Sequence, residues 1–296
     1  MHRDCLFAFP GQGVPSDALT DAAERHHDHP LVRDALRLLA VTDISSADLK
    51  DTRATQPLVY ALSFAEASQI QRPGIRLVLG HSLGELTALA FAGVIDPGDG
   101  LEIAGFRGEV CHSHARARDG QMMAVMGLDG LAVEWARRLA VAHSDAVLEI
   151  AAYNGRKQAV LSGDRAAFDA LVPIVSAMEG IIAELPIGGS FHSPLMEPAT
   201  HDFAAKLDGV DFRSPAIPVL STIDCARHTD AAALRRQLVR GLVLPVRWTD
   251  AIGAAAADGL EEALDVGPGE TLHKLGRRER TTGLRWIRAE AEVSST

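Results

Sequence analysis

Cysteine is scarce in this chain. Cys5, Cys111 and Cys225 are the only three, with no C-x-x-C spacing, which excludes a disulfide scaffold and a cysteine-built zinc site. Lysine is nearly as rare: of 29 basic residues only Lys50, Lys157, Lys206 and Lys274 are lysines. No dense basic tract offsets the formal charge of −10, so nucleic acid is not expected as a partner. Long apolar runs are missing too, and no stretch approaches the length of a membrane span. The opening run stops at Pro10-Gly11, too short for a signal peptide, so a cytoplasmic protein without a membrane partner is expected. Internal repeats, low-complexity tracts and long linkers are absent as well. What remains is 296 residues, 47% hydrophobic and 23% charged, enough for one large domain or a large domain with a smaller insert.

The most informative stretch is Leu77-Val-Leu-Gly-His-Ser-Leu-Gly-Glu85, an apolar run that ends at a serine flanked by glycines. It reads as a nucleophile elbow, a sharp strand-to-helix turn that needs small neighbours at Gly80 and Gly84 and lifts the Ser82 hydroxyl clear of the sheet. The Leu83 N–H, at the following helix N-terminus, can face an oxyanion formed on a substrate attacked by Ser82. Gln12, between Gly11 and Gly13, can supply a second N–H. On spacing alone, both glycine-flanked segments are also compatible with ordinary turns.

Strands are expected at 5–9, 75–79, 217–222, 262–266 and 284–288, with helices at 57–70, after the elbow, from Pro97 to about 114, and through much of 195–278. Apolar strands alternating with helices indicate a mostly parallel sheet covered on both faces. From Gly120 the pattern changes to β-α-β-β-α-β, a ferredoxin-like order, with Asn154-Gly155 as a hairpin turn and Asp164 as a helix cap. Gly188-Gly189 closes this stretch. The domain expectation is therefore a large α/β unit at 1–119 and 190–296, with an inserted small unit at 120–189. His26, His27 and His29 suggest a metal site, but their polar surroundings favour a solvated loop. His192 lies just before a helix starting at Pro194, where the dipole disfavours imidazolium and leaves a neutral base. Arg107 alone reads as part of a solvated helix face.

Together, Phe9-Pro-Gly-Gln-Gly13, Thr55-Gln-Pro57, Gly80-His-Ser-Leu-Gly-Glu85, Gly93-Val-Ile-Asp96, Arg107-Gly108, Tyr153-Asn154, Phe191-His-Ser-Pro-Leu-Met196, Pro245-Val-Arg-Trp248 and Val266-Gly-Pro-Gly269 resemble malonyl-CoA:acyl carrier protein transacylases and polyketide synthase acyltransferase domains. The order is kept from residue 9 to 269. The resemblance implies an α/β-hydrolase-like large domain, Ser82 as nucleophile, His192 as base, and Gln12 and Leu83 as oxyanion donors. It implies that Arg107 pairs with the free carboxylate of a malonyl group, and that Leu83 and Phe191 favour malonyl over methylmalonyl. Asn154 matches a pocket residue of the family. Gly241 stands where many relatives have a glutamine whose main-chain carbonyl orients the histidine. The implied partners are malonyl-CoA as substrate and an acyl carrier protein, in fatty acid or polyketide biosynthesis, with no cofactor or metal and a monomeric enzyme. Docking of the carrier protein is expected near Arg235, Arg236, Arg277 and Arg278. The rival readings are a serine acyl hydrolase, with Asp265 and His273 completing a triad in lipase order, an acyltransferase for another dicarboxylic unit, and an inactive docking protein.

Overall fold

The computed structural model describes residues 4–116, 119–187 and 189–289. The first three residues, 117–118, Gly188 and the tail from 290 lie outside them. The chain opens with β1 (Cys5–Phe9), α1 (Ser16–Arg25), α2 (Pro30–Leu38), α3 (Thr52–Gln69), β2 (Ile75–Gly80), α4 (Gly84–Phe91) and α5 (Pro97–Arg116). It continues through β3 (Gly120–Met126), α6 (Gly130–Val141), β4 (Leu148–Gly155), β5 (Gln158–Asp164), α7 (Arg165–Ala177) and β6 (Ile181–Glu184). The last part holds α8 (Glu197–Asp208), β7 (Val219–Leu220), β8 (Arg227–His228), α9 (Ala231–Arg240), α10 (Trp248–Ala257), β9 (Glu262–Asp265), α11 (Thr271–Arg278) and β10 (Arg285–Arg288).

The first sheet has the order β10-β9-β1-β2-β7-β8 and is parallel except for the β7–β8 pair at its edge. Its central strand, CLFAF, is buried along its whole length, as a parallel strand covered on both faces must be. The second sheet is antiparallel, order β4-β5-β3-β6, which is the strand order of a ferredoxin-like module. One face of it, with Val125, Ile150 and Leu161, packs under α6 and α7 in a separate small core. Met122, Ala124 and Val160 on the other face belong to the main core. The small sheet is tied through main chain to the segment before α10: Tyr153 N–H donates to the Val246 carbonyl (2.9 Å) and Val246 N–H to the Ala151 carbonyl (2.9 Å), so residues around Val246 add to the β4 edge. Among the described residues no helix is long and apolar enough to cross a membrane.

Several local expectations need correction. Helix α3 starts at Thr52 rather than at Pro57, because the Asp51 carboxylate accepts the Arg53 N–H (2.9 Å) and caps it; Pro57 sits inside. The hairpin turn is not Asn154-Gly155. Gly155 pairs with Gln158, so Arg156 and Lys157 make the turn and Asn154 stays in β4 beside a register irregularity. Asp164 stands at the helix N-terminus but its side chain accepts the Val147 N–H (2.8 Å) instead of capping. Strand β7 ends at Leu220, shorter than the expected 217–222, and the Thr222 N–H donates to the buried Glu85 carboxylate (2.7 Å). The histidine stretch is a turn between α1 and α2 that is solvated only in part: His27 is exposed, whereas His26 is buried at the end of α1 and His29 accepts the Leu31 N–H (3.3 Å) as the cap of α2. Among the described residues no group of three or more His, Cys, Asp or Glu is placed to hold a metal.

Candidate active site

The elbow forms because β2 must turn into α4 within three residues. A Cβ on Gly80 would overlap the main chain of Gly84, and one on Gly84 would overlap the Phe9 carbonyl, so neither position admits a side chain. Ser82 takes φ +54° at the apex. His192, just beyond the small module, also has a positive φ, +56°. Two non-glycine residues held in this sparsely populated region and facing each other mark a strained, over-determined site.

Ser82 Oγ lies 2.7 Å from His192 Nε2, and His192 Nδ1 lies 3.1 Å from the Leu244 carbonyl oxygen. A carbonyl can only accept, so Nδ1 carries the proton and Nε2 is left with a lone pair towards the serine. The orienting carbonyl is therefore that of Leu244, not the one the sequence assigns to Gly241. Gly241 makes a secondary contribution there and lines a cavity of about 10 Å³ behind Ser82 rather than the main cleft. Burial, reinforced by the Arg107 charge, pushes the His192 ring down to about 3, against the pull of the Leu244 carbonyl. Burial rather than a helix dipole is the principal cause. A base depressed in this way stays neutral as pH falls, so acylation of Ser82 should remain flat from pH 8 to about 5. Single-turnover rates across that range check it, and a decline centred on the ordinary histidine value near 6.5 would contradict it.

Arg107 is buried on α5, not solvated. Its Nη1 donates to Gln56 Oε1 (2.7 Å) and its Nη2 to Ser82 Oγ (3.3 Å). Gln56 Nε2 in turn donates to Thr52 Oγ1 (2.8 Å), which also receives Gln12 Nε2 (2.6 Å). Among the described residues no carboxylate pairs with Arg107, so a buried guanidinium is held rigidly with an unmet charge. The N–H groups of Gln12 and Leu83 donate to no acceptor among the described residues. Gly84 packs directly on the carbonyls of Phe9 and Pro10, which brings the loop that carries Gln12 against the elbow. Phe191, Asn154 and His81 line the cleft, about 1050 Å³ in volume, that opens onto Ser82 and Arg107. His81 Nε2 and Asn154 Oδ1 are 2.8 Å apart, which fixes the Asn154 side chain at the cleft wall.

Three contributors escaped the sequence reading: Gln56, Glu85 and Leu244. Gln56 and Glu85 could have been noticed as polar residues inside otherwise apolar helices; a backbone carbonyl leaves no signal in sequence. Glu85 is buried at the start of α4, where its Oε1 accepts from Thr222 N (2.7 Å), Ser221 Oγ (2.9 Å) and Thr222 Oγ1 (3.1 Å). Thr222 then accepts the Arg247 N–H through its carbonyl (2.7 Å), tying the elbow helix to the segment that carries Leu244. Burial raises the Glu85 carboxyl to about 7, opposed by those donors. A folded value above the unfolded one stabilises the fold fully below the ordinary value near 4.5, and that contribution is lost as pH rises through 7. Glu85→Gln is neutral at every pH and should gain stability relative to the parent between pH 5.5 and 8, read by urea unfolding at both. A constant difference would mean that Glu85 does not titrate in the fold.

The lipase-like triad is not assembled. The Asp265 carboxylate takes the main-chain N–H of His273 (2.9 Å), the His273 ring Nδ1 has no hydrogen-bond partner among the described residues, and Ser82 faces His192 instead.

Comparison with known proteins places these features in context. The profile of the Acyl transferase domain family matches residues 16–283. The malonyl CoA-acyl carrier protein transacylase of Salmonella typhimurium is 33% identical over 286 residues, covering 92% of this chain and 91% of that protein. The solved malonyl CoA-acyl carrier protein transacylase of Coxiella burnetii superposes with a TM-score of 0.89 at 26% identity, covering 100% of this chain and 97% of the other. A malonyl-transacylase solved in complex with a type II polyketide synthase acyl-carrier protein gives a TM-score of 0.89 at 27% identity, covering 99% and 100%.

Proposed function

Since this chain belongs to the acyl transferase domain family, we propose that it moves a malonyl group from coenzyme A to the phosphopantetheine thiol of an acyl carrier protein, through an ester on Ser82. The observation that carries the choice of acyl group is Arg107, a buried guanidinium with no carboxylate partner among the described residues, 3.3 Å from Ser82 Oγ. A malonyl carboxylate meets that charge; an acetyl group leaves it unpaired.

In this reading Ser82 Oγ attacks the thioester carbonyl carbon as its proton passes to His192 Nε2. The carbonyl oxygen becomes an oxyanion held by the N–H groups of Gln12 and Leu83, each worth about 3 kcal/mol in the transition state. Collapse expels the coenzyme A sulfur, which takes the proton from His192, and leaves the serine ester. In the second half the carrier thiol gives its proton to His192 and attacks the ester, and Ser82 leaves with that proton. His192 thus begins and ends each half neutral, as its depressed basicity requires. Gln56 keeps Arg107 aimed at the carboxylate throughout.

The reaction belongs in the cytoplasm and serves fatty acid or polyketide assembly. For carrier docking the rim of the cleft fits best: Arg278 donates to Gln158 on that rim (3.0 Å), whereas Arg235 is engaged with Asp208 elsewhere. The reading is tested by intact-protein mass spectrometry. Incubation with malonyl-CoA should add one malonyl group to the chain and none to Ser82→Ala, and added carrier protein bearing its phosphopantetheine arm should remove it. A dominant acetyl adduct from a mixed pool of acyl-CoAs would overturn the choice of substrate.

A further inference from the structure

Thr52 opens α3 and is buried, and its hydroxyl oxygen accepts from two glutamines at once. Gln12 Nε2 approaches it to 2.6 Å from the loop after β1, and Gln56 Nε2 to 2.8 Å from the next turn of α3. The polarity of the Gln56 bond is forced. A guanidinium has no acceptor, so Gln56 must turn Oε1 towards Arg107 Nη1 (2.7 Å), which leaves its Nε2 for Thr52. A valine of the same shape would deprive both amides of that acceptor. The place of Thr52 is fixed from outside α3 as well: a Cβ on Gly108, the residue after Arg107, would come within 2.9 Å of the Thr52 carbonyl, so α5 packs directly on it.

Arg107, Gln56, Thr52 and Gln12 therefore form one unbroken chain of hydrogen bonds, from the group that meets the acyl carboxylate to the loop whose N–H meets the oxyanion. That loop has little else to hold it on the α3 side. A Cβ on Gly13 would meet nothing within 4 Å, and the bond from Thr271 Oγ1 to the Gly13 carbonyl (3.2 Å) is longer and exposed. Resting on the malonyl reading of this site, we propose that Thr52 is a positioning residue that couples carboxylate recognition to the oxyanion hole. A carboxylate seated on Arg107 steadies Gln56 and Thr52, and through them the Gln12 side chain and the main-chain N–H of the same residue. The acyl carboxylate then acts on the rate of acylation and not only on binding, which is how contacts remote from the reacting carbon raise kcat. Thr52 acts on the reacting atoms only through Gln12.

Single-turnover acylation of the full chain by malonyl-CoA, carried to saturation, separates the limiting rate from the half-saturation concentration. Thr52→Val should lower the limiting rate about 10-fold and move half-saturation by less than about 3-fold, since an oxyanion donor that loses its exact aim keeps only part of its worth. Gln12→Met keeps the main-chain N–H and removes only the amide; it should show the same loss, and the double variant no more than either alone. Thr52→Ser retains the hydroxyl and should load at close to the parent rate. In an Arg107→Ala background, Thr52→Val should cost less than about 2-fold, because no carboxylate then engages the chain. An equal factor in both backgrounds is what a merely structural role would give, and it overturns the inference. A parent-like limiting rate in Thr52→Val or Gln12→Met, or a Thr52→Ser chain as slow as Thr52→Val, does so too, and each of these leaves the malonyl reading standing. A parent chain that takes up no malonyl overturns that reading and the inference with it.

Discussion

Arg107→Ala should lower the rate at which malonyl-CoA loads Ser82 by about 10²- to 4 × 10³-fold and leave acetyl-CoA loading unchanged or faster. The size follows from the energetics of a buried ion pair broken on one side, about 3–5 kcal/mol, at 1.4 kcal/mol per decade. The direction for acetyl follows from the same term. In the parent chain an acetyl group enters a site where the guanidinium remains unpaired; alanine removes that penalty. Arg107→Lys separates charge from geometry, because lysine keeps the positive charge but cannot span Gln56 and a carboxylate as a planar fork. It should recover part of the malonyl rate without restoring the full preference. Second-order acylation constants for the two thioesters, read by mass spectrometry of the intact chain, decide the matter. An unchanged malonyl-to-acetyl ratio in Arg107→Ala would move selectivity to another part of the cleft.

Ser82→Ala should abolish the covalent adduct, and His192→Ala should slow its formation by about 10²- to 10⁴-fold, the usual worth of a positioned general base. The loss in His192→Ala should shrink as pH rises, because hydroxide increasingly substitutes for the missing imidazole. His273→Ala is the control: it should load at the parent rate, since its side chain has no contact with the dyad, whereas the lipase-like reading demands the opposite. An adduct that persists in Ser82→Ala would place the ester on another nucleophile.

The broad plan was legible in sequence for a physical reason. Fully buried parallel strands must be apolar, and an elbow must be bracketed by residues without side chains, so CLFAF and Gly80–Gly84 announce themselves. The βαββαβ order of the second sheet was readable from alternation and turn residues alone. What failed were decisions settled by distant partners. Asn154-Gly155 has local turn preference, but pairing of Gly155 with Gln158 and the contact with His81 hold Asn154 in the strand. Pro57 resembles a helix start, yet Asp51 caps one five residues earlier. Arg107 was assignable only through family resemblance. Its burial depends on Gln56 and Ser82, fifty-one and twenty-five positions away in the chain. The anchor of His192 was misassigned because any main-chain carbonyl near Pro245 serves the same chemistry, and only the folded loop selects Leu244.

The main-chain pairing of β4 with Val246 bears on any attempt to build chimeras. Grafting the 120–187 module from a relative would appear to leave the serine, the histidine and the arginine untouched, since none lies within it. The graft would nevertheless replace the edge against which Val246 is hydrogen-bonded, two residues from the carbonyl that aims His192. A donor module whose β4 offers a shifted register would transmit that shift to the imidazole. Exchange of acyl specificity by module swapping is therefore best attempted with residues 244–249 carried along with the insert, as a single inherited unit.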